Sequence, residues 1–253
     1  MKLALIILNC LVGIWVYGFD SKATMANGHK AFAEKHYKEA AEHYQMLVDS
    51  GYQSAALYYN LGTSYFKAGA VAASILYLEK AKALSPSDED INYNLQLANL
   101  RVVTRIEPAP QLRFVKATKE FISKYTSNTW GIMTLVLLWL ALAAYFVLIV
   151  GKDKVPKRVL QLMSLVLLIA SFATLIFGIK KRLEEDNGRF AIVFATNSYV
   201  KSAPDTESVD LFILREGVKI RLLETLGEWE KIKVPDARGD KVGWIPRSHF
   251  KTI

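Results

Sequence analysis

Two long stretches without a charged residue dominate the hydrophobic pattern of this 253-residue chain. They cover residues 130–150 and 159–179, about 21 residues each. Because an α-helix rises about 1.5 Å per residue, each stretch is long enough to cross a hydrocarbon layer about 30 Å thick. Residues 151–158 between them form a short basic loop that leaves room only for a tight hairpin. The pattern therefore predicts two transmembrane helices whose outer ends lie on the same side of a membrane.

The first 18 residues have the pattern of an export signal. Lys2 precedes an apolar stretch over 3–17, and Val16 and Gly18 suit a cleavage site after Gly18. We therefore predict a signal peptide over 1–18, and an uncleaved membrane anchor is the alternative. Cleavage would also remove Cys10, the single cysteine, and leave a mature protein without disulfide or thiol chemistry.

The segment that follows the signal contains an internal repeat with an offset of 34 residues, as from Gly28 to Gly62. The tripeptide Tyr-Asn-Leu at 59–61 recurs at the same offset at 93–95. Small residues at Gly28, Gly62 and Ala40 allow two helices to approach closely. The repeat therefore predicts paired helices that stack along the chain.

The second copy of this repeat resembles the tetratricopeptide repeat, which is a pair of helices. The first copy keeps Gly28 and Ala40, and the third copy is a single helix from about 88 to 103 with Ser87 as its predicted N-cap. A single final helix covers the open end of such a stack. The resemblance implies an all-α repeat array over 19–106. It is carried by Tyr58, Leu61, Gly62, Tyr65, Gly69, Ala81 and Pro86.

Residues 107–129 connect this array to the first apolar stretch. Pro108 and Pro110 end the last helix, because proline lacks the amide donor that a helix needs. Apolar residues over 111–127 then alternate with basic ones, which predicts a basic amphipathic helix. Two interpretations are open: the helix lies on the membrane surface, or it packs on the repeat array.

The C-terminal segment, 190–253, changes to the pattern of a small all-β domain and follows a predicted linker over 180–189. Its short stretches are rich in β-branched and aromatic residues and are separated by turn residues, at 191–195, 218–223, 229–234 and 242–246. The segments 200–204, 211–217, 227–232 and 243–246 resemble a bacterial SH3 domain. This resemblance implies an SH3-like β-barrel.

The net charge of +8 is concentrated beside the apolar stretches rather than on a soluble face. Basic residues in those places meet lipid headgroups, so we predict membrane contact and no nucleic-acid binding. A basic loop favours the cytoplasm, and an export signal sends the next segment outward, so both signals place the helical array and the C-terminal domain outside the cytoplasm. The basic residues at 113–124 and 180–182 argue against this orientation. The loop contributes Lys152, Lys154, Lys157 and Arg158.

Motifs for catalysis or metal binding are not found in the sequence. His29, His36 and His43 are spaced by seven residues but fall on different predicted elements, and no metal-binding motif accompanies them. The chain has neither a Gly-x-Ser-x-Gly motif nor a glycine-rich phosphate loop. The carboxylates at 184–186 follow a membrane helix, where a solvated linker explains them. We therefore predict no enzymatic activity, no cofactor and no metal.

Two sets of residues are the predicted binding sites. In the array, residues that recur at one repeat position include amides, which can pair with a peptide backbone, and cations, which can pair with a carboxylate. For the tyrosines, packing between helices is the alternative. The array set is Asn60, Asn94, Tyr59, Tyr93, Lys67 and Arg101.

In the β-domain, the SH3 resemblance implies a peptide-binding groove. Eukaryotic SH3 domains read proline-rich peptides with such positions, and bacterial relatives associate with cell-wall peptides. Core packing is the alternative for the two tryptophans. The predicted ligand-binding residues are Trp229, Trp244, Pro246 and Phe250.

The order of signal, helical repeats, membrane hairpin and SH3-like domain resembles the BatE proteins of the Bacteroides aerotolerance operon. The resemblance implies a two-pass bacterial inner-membrane protein with both soluble domains periplasmic and loop 151–158 cytoplasmic. It also implies a non-enzymatic scaffold that works beside von Willebrand A domain Bat proteins in tolerance of oxygen. Two alternatives remain: a cell-wall-binding sensor or anchor that uses the SH3-like domain, and an accessory subunit of an envelope enzyme.

Overall fold

The computed structural model describes residues 20–103, 113–150, 156–236 and 239–253. Over these residues the protein has eight α-helices followed by a seven-stranded antiparallel sheet. The predicted signal peptide, the two prolines after the array and most of the basic loop lie outside the described residues. The combination of helices with a C-terminal sheet agrees with the predicted order of elements.

Five helices form the N-terminal part, which we call the helical array. Successive helices pack on one another. Asp20 caps the first helix, since its Oδ1 accepts hydrogen bonds from the amides of Lys22 and Ala23 at 3.0 Å. The fifth helix has Asp88 as its N-cap rather than the predicted Ser87. The helices are α1 (Ser21–Ala33), α2 (Tyr37–Asp49), α3 (Ala55–Ala68), α4 (Val71–Leu84) and α5 (Glu89–Leu100).

Glycine allows the close approach of paired helices in the array. A Cβ atom at Gly28 would lie 2.6 Å from Cε1 of Tyr44, and one at Gly62 would lie 2.8 Å from Cγ of Leu78. Real Cβ atoms do not come this near another atom, so the larger partner side chains fill the space that each glycine leaves. The expectation of short side chains at these two positions is met.

A short helix, α6 (Arg113–Ser123), precedes two long helices, α7 (Ser127–Val150) and α8 (Lys157–Asn187). We call the two long helices the hairpin; both are long and apolar enough to cross a membrane. Helix α8 continues through most of the predicted linker over 180–189, because its Lys, Arg, Leu and Glu residues all favour helix. Helix α6 packs against the hairpin, and the indole Nε1 of Trp130 donates to the carbonyl oxygen of Ile122 at 3.1 Å.

The C-terminal 64 residues, 190–253, form the β-domain, whose strands follow the order β3-β2-β6-β5-β4-β1-β7. The sheet is not closed into a barrel, so the predicted barrel is wrong. Closure would need pairing between β3 and β7, and each of these edge strands has a single neighbour. The strands are β1 (Phe190–Val193), β2 (Asn197–Lys201), β3 (Asp210–Arg215), β4 (Lys219–Leu226), β5 (Trp229–Val234), β6 (Lys241–Pro246) and β7 (Phe250–Thr252).

Strand β1 connects the β-domain to the helical array. Ala191 and Val193 are buried in the core of the β-domain, whereas Ile192 between them is buried in a cluster with Ile75 and Leu95 of the array. Successive side chains of a strand point to opposite faces, which explains this division. The array and the β-domain therefore share an apolar interface, although the hairpin separates them in the sequence.

The turn before β4 and a charged pair extend this interface. Gly217 has φ +84°, and a Cβ atom there would lie 2.9 Å from Cγ2 of Val102 and 3.3 Å from Cδ1 of Ile75. Nζ of Lys219 forms an ion pair with Oε2 of Glu79 at 2.7 Å. Two independent features thus require glycine at this position: the positive φ of the backbone and the short distance to side chains of the array.

Candidate binding surfaces

Helices α3 and α5 of the array lie side by side and bring two of the predicted residues into contact. Nδ2 of Asn94 donates to the hydroxyl oxygen of Tyr59 at 3.2 Å and to the carbonyl oxygen of Asp90 at 2.8 Å. Tyr59 is also partly buried against two apolar clusters. These two side chains therefore hold neighbouring helices together, which is the packing alternative for Tyr59.

Arg101 is also engaged within the array. Its guanidinium carbon lies 4.0 Å from the ring centroid of Phe66, and Nη1 donates to the carbonyl oxygen of the same residue at 3.3 Å. A cation over an aromatic face is an attractive contact that adds to the hydrogen bond. In this arrangement Arg101 caps the end of α3 and is directed at the array itself.

The other three predicted residues of the array make no such contacts. Across the described part of the chain, the side chains of Asn60, Tyr93 and Lys67 form no hydrogen bond or ion pair. Tyr93 is 62% exposed, and Lys67 is exposed as well. Asn60 and Lys67 are seven residues apart on α3, so they lie on the same helical face. These three side chains are available to a partner.

A cavity of about 480 Å³ lies at the N-terminal end of the array. It is formed by α1, the end of α2 and the start of α3, and we call it the array cavity. Its walls are mainly apolar, with Met25, Leu47 and Leu57, and Ser21 and Gln53 add polar groups. This volume is in the range of sites that hold a ligand or a large side chain. The sequence pattern did not indicate it, since three separate segments build it.

The array cavity adjoins one of the predicted residues. Leu57 lines the cavity, and Asn60 lies one turn further along the same face of α3. His29 also lines it, and Nδ1 of His29 lies 3.0 Å from the hydroxyl oxygen of Tyr44. Burial raises the pKa of Tyr44 to about 12, so its phenol stays neutral at physiological pH. The cavity wall thus carries an imidazole that is hydrogen-bonded to a buried, neutral phenol.

Three of the four predicted β-domain residues come together on one face of the sheet. Trp229 of β5 is paired with Pro246 of β6, and Lys231 is paired with Trp244. Nζ of Lys231 lies 5.6 Å from the ring centroid of Trp244. The residues of β5 that point to the other face of the sheet, Glu230, Ile232 and Val234, are buried. We call Trp229, Lys231, Trp244 and Pro246 the tryptophan patch; all four are half-buried.

The fourth predicted residue, Phe250, has a different position. It begins β7 and packs against the buried core of the β-domain together with Phe212. β7 pairs with β1, whereas Trp229 and Pro246 lie on β5 and β6. The structure thus places Phe250 on another strand, partly buried against the core of the β-domain.

Buried polar groups stabilise the β-domain. Glu230 is 1% exposed; its Oε2 accepts from the hydroxyl of Thr225 at 2.8 Å, and its Oε1 lies 3.4 Å from Nη2 of Arg189. Arg189 follows α8 closely, so this ion pair ties the end of the hairpin to the β-domain. Nδ1 of His249 lies 2.9 Å from Oγ of Ser198, and burial lowers the pKa of His249.

Of the three histidines that are spaced by seven residues, His29 has different neighbours from the other two. His29 faces Tyr44, whereas His36 and His43 each lie within 4 Å of Glu39, at 3.6 and 3.9 Å. Over the residues that the structure describes, no group of three or more His, Cys, Asp or Glu side chains is arranged to hold a metal ion.

Comparison with known proteins adds no identification. No family model matches the chain, and a search of curated proteins found no significant match. The fold and the surfaces described above are therefore the basis for a functional proposal.

Proposed function

We propose that the protein is a non-enzymatic scaffold that the hairpin anchors in a membrane and that presents two peptide-binding surfaces. The observation that carries this proposal is the interface between the array and the β-domain, which includes Ile192, Ile75 and the ion pair of Lys219 with Glu79. Because this interface joins the segments on either side of the hairpin, it supports a location of both domains on one side of the membrane. Such an arrangement presents two surfaces in a fixed relation.

The helical array offers a surface for an extended peptide. A bulky apolar side chain of the peptide fits the array cavity beside Leu57, while the amide of Asn60 pairs with its backbone. Lys67, two turns further along α3, then meets a carboxylate. The repeat spacing and the close packing at Gly28 and Gly62 support the tetratricopeptide interpretation of this array.

The whole arrangement is also what the resemblance to BatE proteins implies. Under this proposal the chain lies in a bacterial inner membrane with both domains periplasmic and loop 151–158 cytoplasmic. Its partners are envelope proteins such as the von Willebrand A domain Bat proteins, and the complex serves tolerance of oxygen. The predicted SH3-like character of the β-domain belongs to the same proposal.

The test is recovery of partners from native membranes by affinity purification and mass spectrometry. The variant Asn60→Ala/Lys67→Ala removes the two available polar groups of α3, and Lys38→Ala/Glu42→Ala on exposed positions of α2 is the matched control. We expect the first variant to lose specific partners that the control retains. Equal recovery by both variants would remove the array from the proposal.

The tryptophan patch favours a second candidate function, a sensor or anchor that binds cell-wall peptides. Aromatic side chains that are half-buried beside a lysine offer contacts for an apolar and anionic ligand. Detergent-solubilised full chain should then sediment with isolated peptidoglycan, and Trp229→Ala/Trp244→Ala should abolish this while Leu211→Ala, an exposed residue of β3, should not. Sedimentation that is equal for all three proteins would exclude the patch as the binding site.

A further inference from the structure

One end of the hairpin carries a cavity that the proposed scaffold function does not use. It has a volume of about 290 Å³ and lies between the first turns of α7 and the part of α8 where apolar sequence gives way to basic sequence. Gly131 and Leu175 form apolar wall, while Asn128 and Arg182 add polar groups. We call it the hairpin cavity.

The walls of the hairpin cavity keep it open. A Cβ atom at Gly131 would meet no other atom within 4 Å, so the space beside this glycine is empty of protein. At Gly178 a Cβ atom would lie 3.3 Å from Cβ of Trp130, which shows that the two helices meet there. The cavity thus lies beside a point where the two helices are in contact, and the space next to Gly131 is free to take a ligand.

Helix α6 adds positive charge at the same end of the hairpin. It is held there by ring contacts: the centroid of Phe121 lies 5.5 Å from that of Trp130 and 6.2 Å from that of Phe177. Phe114 lies two turns before Phe121 on the same face of the helix and is 81% exposed, as expected of a helix that rests on lipid. Its basic residues are Arg113, Lys116 and Lys119, and Lys124 follows its last residue. These four residues are the ones that argued against the predicted orientation of the hairpin.

Charges along the end of α8 are arranged in layers. The apolar sequence ends at Ile179, the basic residues 180–182 follow, and the acidic residues 184–186 come after them. Because the helix rises about 1.5 Å per residue, the acidic layer lies further from the hydrocarbon than the basic one. The basic layer is therefore at the depth of lipid phosphates. With Glu120 counted against Arg113, Lys116, Lys119 and Lys124, the segment 113–124 has a net charge of +3.

We propose that the hairpin cavity binds an anionic phospholipid. One acyl chain lies against Gly131 and Leu175, and the phosphate meets the guanidinium of Arg182 and the amide of Asn128. Arg182 already interacts with another group of the protein. Because a guanidinium carries five N–H donors, it can bind a phosphate at the same time. The apolar and basic parts of the site match the two parts of such a lipid.

Native mass spectrometry of the purified full chain in detergent tests this proposal. The probes are palmitoyl-oleoyl phosphatidylglycerol and phosphatidylcholine, which share acyl chains and differ in net charge. We expect phosphatidylglycerol to be retained preferentially. Arg182→Gln should weaken its retention about fivefold, the effect of one cation near a lipid surface. Arg158→Gln, at the opposite end of the hairpin, is the matched control and should change nothing.

A second variant tests the cavity rather than the charge. Gly131→Leu fills the open space and should lower phosphatidylglycerol retention, whereas Leu140→Ala, an exposed residue on the opposite face of α7, should not. Glycerol phosphate in solution should fail to compete, because it lacks the acyl chain. Equal retention of the two lipids would overturn the proposal, and so would displacement by glycerol phosphate. Full retention of phosphatidylglycerol by Gly131→Leu would overturn it as well. If this variant kept the lipid but lost a membrane partner, the cavity would be assigned to a helix of that partner.

Discussion

Replacement of Ile192 by alanine should open the interface between the helical array and the β-domain. Ile192 is fully buried, and it packs with Ile75 and Leu95 of the array rather than in the core of the β-domain. The substitution removes three carbon atoms, which at about 0.8 kcal/mol each amounts to roughly 2.4 kcal/mol, with a further cost for the cavity that remains. We expect a total loss of about 2–4 kcal/mol.

Hydrogen exchange of the full chain in nanodiscs measures this loss where it occurs. If opening of the interface limits exchange, 2.4 kcal/mol corresponds to amides of α4 and β1 that exchange about fiftyfold faster. Ile213→Ala is the matched control, because the same side chain on β3 is 47% exposed and its loss should cost less than about 0.5 kcal/mol. Unchanged exchange in α4 after Ile192→Ala would refute the interface.

Three further predictions follow from contacts and burial. The pair of Glu79 with Lys219 should show a coupling of about 0.5–1 kcal/mol in a double-mutant cycle of Glu79→Gln and Lys219→Met measured by denaturant unfolding, and strictly additive effects would contradict it. Gly62→Ala should lower thermal stability by about 1–3 kcal/mol, since its methyl would lie 2.8 Å from Cγ of Leu78; a higher melting temperature would contradict this. Because burial lowers the pKa of His249 below its usual 6.5, the unfolded chain takes up the proton first on acidification. Stability should therefore fall as the pH drops below about 6.5. In a pH series of melting curves, His249→Gln should remove this dependence. The same dependence of melting temperature on pH in both proteins would exclude His249 as its cause.

The sequence was most informative where one residue type has one structural role. The glycines at 28 and 62 could be predicted as points of close helix packing, because no other residue leaves room for Tyr44 or Leu78. Strand β5 was predicted with its observed bounds, 229–234, because Leu226-Gly227 marks the turn before it and Gly227 has a positive φ of 58°. Both signals are local along the chain.

Features that depend on distant segments could not be predicted. Ile192 belongs to a continuous apolar run, Phe190-Ala191-Ile192-Val193, which is typical of a strand buried on both faces but does not tell which segment packs on each face. Arg101 was predicted to bind a carboxylate, but it lies over Phe66, which is 35 residues away in the sequence. Closure of the sheet depends in the same way on a pairing between β3 and β7, which the pattern of each strand does not encode.

The location of both soluble domains on one side of the membrane is the central claim, and cysteine labelling in spheroplasts tests it most directly. In a Cys10→Ser background, single cysteines replace Lys38 in the array, Glu207 in the β-domain and Arg158 near the loop; all three positions are exposed. We predict that a membrane-impermeant maleimide labels the first two in intact spheroplasts and the third only after lysis. Labelling of either domain only after lysis would contradict the account.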